Sequence, residues 1–216
     1  AWVNLKRRHR IVQRTAPDAS PRGQQTAAFL VRDNIRHRRD IEKAYLSAIG
    51  SAHDQILIAN AYFLPGRRFR RALRDAARRG VQVTILLQGR IEYRLLHYAT
   101  QALYGKLLNA GIRIFEYHYS FLHAKVAVID DTWATVGSSN IDPFSLLLAK
   151  EANVVVLDRE FADALRCSLE QAMQEGAQEL PPQHWRLLPW PARALRWISY
   201  NLVRTAIGVS GYGGKH

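Results

Sequence analysis

Apolar residues first fall on a helical period: Ile41, Ala44, Tyr45, Ala48 and Ile49 recur at i, i+3, i+4, i+7 and i+8. The spacing predicts a helix from about Arg36, closed by Gly50. The unbroken run Ile56–Ala59 reads as a strand leading into a Tyr62-Phe63-Leu64-Pro65-Gly66 turn. A second helix, Arg67 to Arg79, stops at Gly80, and Val81 to Leu87 reads as another strand. A third helix covers Tyr93 to Asn109 and is closed by Gly111. Strands follow at Ile112–Tyr117, His123–Ile129, Trp133–Val136 and Asn153–Leu157, then a helix at Arg159–Glu175. Helices alternating with strands, then strands in succession, predict an α/β layered sandwich: a mixed β-sheet flanked by helices.

The periodic part spans residues 27–178. Residues 1–26 are polar and basic, with Pro17, Pro21 and Gly23, and read as a linker; Pro181-Pro182 marks the domain end. The tail, 179–216, has another character. Between Trp185 and Ile207 it carries Trp185, Trp190, Trp197 and Tyr200 among aliphatic residues, interspersed with Arg186, Arg193, Arg196 and Arg204. That segment is too charged to span a bilayer and suits one lying in the membrane interface. A helix packed on the domain fits the pattern equally well. Residues 211–214, rich in glycine, read as a frayed end.

Charge sharpens the choice of partners. The 216 residues carry a net charge of +13, and 25 of the 31 basic residues are Arg. Such a surface favours nucleic acid, anionic lipid headgroups or acidic partners, and composition alone does not choose among them. The Arg cluster between Arg67 and Arg79 reads as a solvated helix face, with anionic lipid as the alternative. Cys167 is the single cysteine, which excludes a disulfide framework or a cysteine zinc site. It is expected to be a small buried apolar side chain in a protein of a reducing compartment. The chain opens at Ala1 with no apolar signal-peptide core, and is expected to be part of a longer protein.

The chemistry concentrates in one segment, from Phe121 to Asn140. It reads His123, one residue, Lys125, four residues, Asp130, then six residues and Gly137-Ser138-Ser139-Asn140. In an extended strand His123 and Lys125 emerge on one face, so an imidazole stands beside a fixed positive charge. That pair suits a phosphate group. Asp130 has the opposite parity and lies at the strand end, where it is expected to order the turn with Asp131. Gly137 lets the backbone come close, and Ser138 and Asn140 can donate to phosphoryl oxygens. Glu151 heads another strand and could hold the far nitrogen of an imidazole. His118 and Tyr119, just before the motif, are weaker candidates for lining the site.

The segment resembles the HKD motif of the phospholipase D superfamily, whose catalytic signature maps onto His123, Lys125 and Asp130. The likeness extends over residues 27–175, which look like the C-terminal half of a bacterial cardiolipin synthase of the shorter, B type. It rests on Tyr62–Gly66, Ala77–Val81, Leu108–Ile112, Phe115–Tyr117, Phe121–His123 and Asn140–Ser145. The resemblance implies a phosphatidyltransferase that needs no cofactor and no metal. One histidine forms a phosphohistidine while the other protonates the departing alcohol. His123 would be the general acid and then base, with Lys125, Ser138 and Asn140 holding phosphate oxygens and Glu151 orienting a histidine. Implied partners are phosphatidylglycerol and the membrane surface, at the cytoplasmic face of a bacterial inner membrane.

One departure matters. The family's full enzymes carry two HKD motifs and this chain carries one; no second His-x-Lys occurs. A missing N-terminal half or a second copy must complete the site. The alternatives are a single-motif homodimeric phosphodiesterase or nuclease, which the Trp-rich tail does not favour, and a non-catalytic basic membrane-binding module.

Overall fold

The structure, a computed structural model, describes residues 20, 23–33, 36–147 and 149–207. Most of the expected linker and the glycine-rich end lie outside these residues. The elements run β1 (Thr26–Arg32), α1 (Asp40–Ser51), β2 (Gln55–Asn60), α2 (Arg67–Arg78), β3 (Gln82–Gln88), α3 (Arg94–Leu108) and β4 (Arg113–Tyr117). They continue with β5 (Lys125–Ile129), β6 (Trp133–Gly137), α4 (Pro143–Leu147), β7 (Glu151–Leu157) and α5 (Arg159–Gly176). Last come β8 (Ala177–Glu179), α6 (Pro182–Arg186) and α7 (Trp190–Ile207).

The strands form one mixed sheet in the order β1-β7-β6-β5-β2-β3-β4-β8. β2, β3 and β4 are parallel neighbours joined by helical crossovers; the other pairings are antiparallel. The expected α/β class and mixed sheet therefore hold. Alternation sorts the faces: Ile56, Ile58, Ile85, Leu87, Ala127 and Ile129 pack into the main core with Tyr45, Phe69, Leu73 and Leu107 from α1, α2 and α3. The opposite face packs under α5, through Leu57, Leu86, Phe115 and Leu169. Each fully buried aliphatic or aromatic side chain contributes about 1.5–3 kcal/mol, so the doubly covered centre of the sheet is its most stable part. α5 starts where Asp158 caps the amide of Phe161 at 2.8 Å. The turns at Gly80 and Gly111 hold φ of 95° and 83°, which explains glycine after α2 and α3.

Three features bear on the sequence reading. Residues 177–179 pair with β4, so a domain limit at 178 cuts through β8. The tail packs on the domain, one of its two expected readings: Trp185 packs edge-on against Tyr104 at 5.0 Å, Val203 joins the main core, and Arg70 donates to the Tyr200 hydroxyl at 2.8 Å. Cys167 is exposed on α5 rather than buried, because it points away from the helix stripe of Ala162 and Leu169.

Candidate active site

The ends of five strands meet at one edge of the sheet. Asn60 at the end of β2 stands opposite Lys125 at the start of β5, and Gly137 at the end of β6 stands opposite Asn153 in β7. Gln88 ends β3 beside them.

His123 lies two residues before β5, in a loop rather than in the strand, and its side chain is exposed. Lys125 is 8% exposed and folds back so that Nζ donates to the His123 carbonyl at 3.1 Å. Burial holds its ammonium below the ordinary lysine range, while Glu151, Asp142 and Glu92 pull the other way. The ammonium of Lys125 thus meets the backbone of His123, and the loop, not a shared strand face, sets where the imidazole stands.

The loop presenting His123 is braced by residues the motif does not name. Arg90 donates through Nε to the His118 carbonyl at 2.8 Å and through Nη2 to that of Tyr119 at 2.7 Å. Its guanidinium also sits over the Phe121 ring at 5.7 Å. Gln88 Oε1 accepts from the Leu122 amide at 3.0 Å. Between them Gly89 leaves room for the His118 ring, which would stand 2.4 Å from a Cβ there. His118 and Tyr119 therefore serve this loop through their backbone carbonyls.

The Gly-Ser-Ser-Asn segment is fixed as tightly. A Cβ at Gly137 would come within 2.3 Å of the Asn153 side chain, so only glycine fits. Asn153 donates to Thr135 Oγ1 at 3.2 Å and accepts from the Ser139 amide at 3.4 Å. Asn60 Oδ1 accepts from the Ile141 amide at 3.1 Å, and the Leu64 amide donates to the Ile141 carbonyl at 2.8 Å. The Tyr62 amide donates to Asn140 Oδ1 at 3.3 Å, which leaves the Asn140 amide group as a donor. Asp142, 3% exposed, caps the amides of Phe144 and Ser145 at 2.7 and 3.0 Å. Burial raises its pKa against the pull of those amides.

Ser138 and Glu151 meet partners other than those expected, and Asp130 orders a turn as its parity predicted. Ser138 Oγ donates to the Glu151 carboxylate and accepts from the Ala152 amide at 3.1 Å, so its proton is already committed. It orients Glu151 instead of offering a donor to phosphate. Glu151 in turn makes no hydrogen bond to His123 among the described residues; one carboxylate oxygen takes Ser138 and the other is open. Asp130, grouped with the catalytic residues by the motif, stands at the opposite end of β5, about 17 Å from Lys125 at strand spacing. Its carboxylate accepts from the amides of Asp54 at 2.9 Å, Gln55 at 3.1 Å and His53 at 3.0 Å. It ties β5 to the turn before β2 and touches no part of the site, as its parity predicted.

Gln88, Arg90, Asn60 and Asn153 left no motif signal in the sequence; only the Asn and Gln at strand ends hinted at them.

This geometry has known counterparts. Residues 45–173 match the family described as cardiolipin synthase, PLD-like domain, and the chain belongs to that phospholipase D-like family. Cardiolipin synthase B of Escherichia coli (strain K12) is 42% identical over 185 residues, which cover 83% of this chain and 44% of that protein. Cardiolipin synthase A of Pseudomonas putida (strain GB-1) is 36% identical over 159 residues, or 72% of this chain and 33% of that one. The chain thus spans less than half the length of these relatives. Among solved structures, phosphatidylserine synthase of Haemophilus influenzae superposes with a TM-score of 0.64 at 12% identity, over 86% of this chain and 47% of that one. Nuc, a phospholipase D family member from Salmonella typhimurium, gives 0.59 at 23% identity, over 73% of this chain and 99% of that one. These two show the fold.

Proposed function

We propose that the chain is the His123-bearing half of a phosphatidyltransferase of the cardiolipin synthase type. The observation that carries this is the exposed His123 two residues before the buried Lys125, whose ammonium bonds to the His123 carbonyl, in a chain 42% identical to a cardiolipin synthase B over 83% of its length. Lys125 and the Asn140 amide group bind two phosphoryl oxygens of phosphatidylglycerol. A histidine of the other half attacks phosphorus; a P–N bond forms, the P–O bond to glycerol breaks, and His123 gives its proton to the departing alkoxide. The terminal hydroxyl of a second phosphatidylglycerol then gives its proton to His123. Its oxygen bonds to phosphorus as the P–N bond breaks, yielding cardiolipin.

The completing half has a surface to meet. Phe29, Val154 and Val136 lie in register across β1, β7 and β6 on one face, 68%, 37% and 40% exposed. α5 covers the neighbouring Val128 and Ala134 but not this row. The row runs toward Ser138, beside the open oxygen of Glu151, and we assign it to the other half-domain.

The membrane has another. α7 turns Trp190, Trp197, Leu195, Ile198 and Leu202 to solvent while Val203 and Tyr200 pack inward, so the two readings of the tail describe its two faces. No helix among the described residues is long and apolar enough to cross a membrane. No acidic residue follows Glu179, and α7 with its Arg193 and Arg204 suits the anionic inner face of a bacterial inner membrane, bound peripherally.

The test is product analysis with the full-length gene product on phosphatidylglycerol vesicles. Cardiolipin with equimolar glycerol is expected. Phosphatidic acid alone makes the protein a hydrolase, and cleavage of DNA without lipid turnover makes it a nuclease.

A further inference from the structure

Beside the phosphate site lies a second, small cavity of about 30 Å³, open at its mouth, between the Tyr62 turn and the start of α3. Its wall is shared with the phosphate site, since the Tyr62 amide holds Asn140. Its polar lining includes Tyr62, Gln88, Glu92, Tyr93, His97 and Thr100; Arg90 and Tyr104 line it too, but are bonded to the His118 and Tyr119 carbonyls and to Glu116.

Hydrogen bonds fix what each group offers. The Tyr62 hydroxyl donates to Glu92 Oε2, which leaves Oε1 as an acceptor. Gln88 spends Oε1 on the Leu122 amide and keeps its NH2 donors. His97 is set by a relay from the tail. Arg196 Nε donates to Gln101 Oε1 at 3.0 Å, which fixes that amide's orientation. Gln101 Nε2, 2.9 Å from His97 Nε2, must then donate, so the His97 proton sits on Nδ1. Burial lowers the His97 pKa and favours this neutral form. Tyr62 and Tyr93, with ring centroids 6.0 Å apart and planes tilted by 57°, supply an aromatic wall, and the Tyr93 hydroxyl can both donate and accept.

We propose that this cavity is the acceptor subsite and recognises a vicinal polyol, the glycerol headgroup whose terminal hydroxyl attacks the phosphorus. The proposal rests on the phosphatidyltransferase reading. A mixed set of donors and an acceptor matches hydroxyl groups, which both donate and accept. An ammonium headgroup only donates and would leave the Gln88 and His97 donors unpaired; an acyl chain would leave every group unpaired.

The experiment supplies the full-length gene product with labelled phosphatidylglycerol vesicles and competing acceptors: glycerol, ethanol, ethanolamine and water. The wild type is expected to prefer glycerol to ethanol. Glu92→Gln lowers that preference by about tenfold, and Tyr93→Phe by a smaller factor, as loss of a hydrogen-bond partner to a hydroxyl implies. Tyr93 is 60% exposed, so its variant keeps the fold, and thermal melting of both variants checks this. An unchanged glycerol-to-ethanol ratio in both folded variants overturns the subsite while the transferase stands. Preference for ethanolamine in the wild type makes the cavity an ammonium cage and also overturns it. A wild type that turns over no lipid overturns the transferase reading and the subsite with it.

Discussion

Lys125 and Asp130 occupy the two ends of one short strand, and their surroundings give them different work. Lys125 is enclosed beside Asn60 and bonded to the His123 carbonyl, whereas Asp130, at φ 50°, collects three backbone amides. Burial alone would raise the Asp130 pKa, but those amides outweigh it and hold the carboxyl below its usual range. With a lowered folded value, the stabilisation is complete above the unfolded carboxylate range near pH 4 and is lost as pH falls through the folded value. Asp130→Asn is therefore expected to melt lower than wild type at pH 7, by the equivalent of about 1–3 kcal/mol. The gap between the two melting curves should close toward pH 3. Lipid turnover by the folded variant should persist, since Asp130 reaches no substrate. At this scale the sequence was informative: strand parity separated Asp130 from Lys125. It could not show that Ser138 and Glu151 bond to each other, because that contact spans the β6–β7 pairing, and no local pattern encodes it.

Between β4 and β5, one loop decides where the imidazole sits. Arg90 and Gln88, both on the segment leaving β3, hold the His118–Leu122 backbone by three hydrogen bonds. Arg90→Ala should lower kcat by about tenfold or more with vesicle affinity unchanged, because the loop loses its bracing and not its chemistry. Arg90→Lys should recover little, since a single ammonium cannot span two carbonyls as the guanidinium fork does. Steady-state kinetics with a vesicle flotation control checks both. Helices α1, α2, α3 and α5 and strands β2 to β4 were legible because apolar period and glycine punctuation agreed. β1 was not: Thr26–Arg32 is an edge strand with five of its seven residues exposed, paired with β7 more than a hundred residues away. β8 has three residues, and α4 has five, too short for any period to appear. α7 was visible as an amphipathic segment, but which face meets the domain depended on Tyr104 and Arg70, contacts that only the fold supplies.

For the molecule as a whole, a charge of +13, a tail without acidic residues after Glu179 and an exposed row of apolar side chains on α7 are what support the proposed docking on an anionic bilayer. Replacing Trp190 and Trp197 with serine should weaken binding to phosphatidylglycerol vesicles by about tenfold or more while leaving the melting temperature within a few degrees, since both are exposed. Binding should also fall as salt rises, through the arginines. Flotation across a salt series reads both effects, and equal binding by the double variant would remove α7 from the membrane surface. The fold and the family were legible in the sequence. The acceptor cavity was not, because its walls come from the β2 turn, the end of β3 and α3, and its histidine tautomer depends on an arginine in the tail. The most direct test of the account is to compare wild-type full-length gene product with its His123→Ala variant on labelled phosphatidylglycerol vesicles. Cardiolipin formation should drop by about 10²–10⁴-fold in the variant, with vesicle binding retained. Cardiolipin formed at the wild-type rate without His123 would contradict its place at the centre of the site.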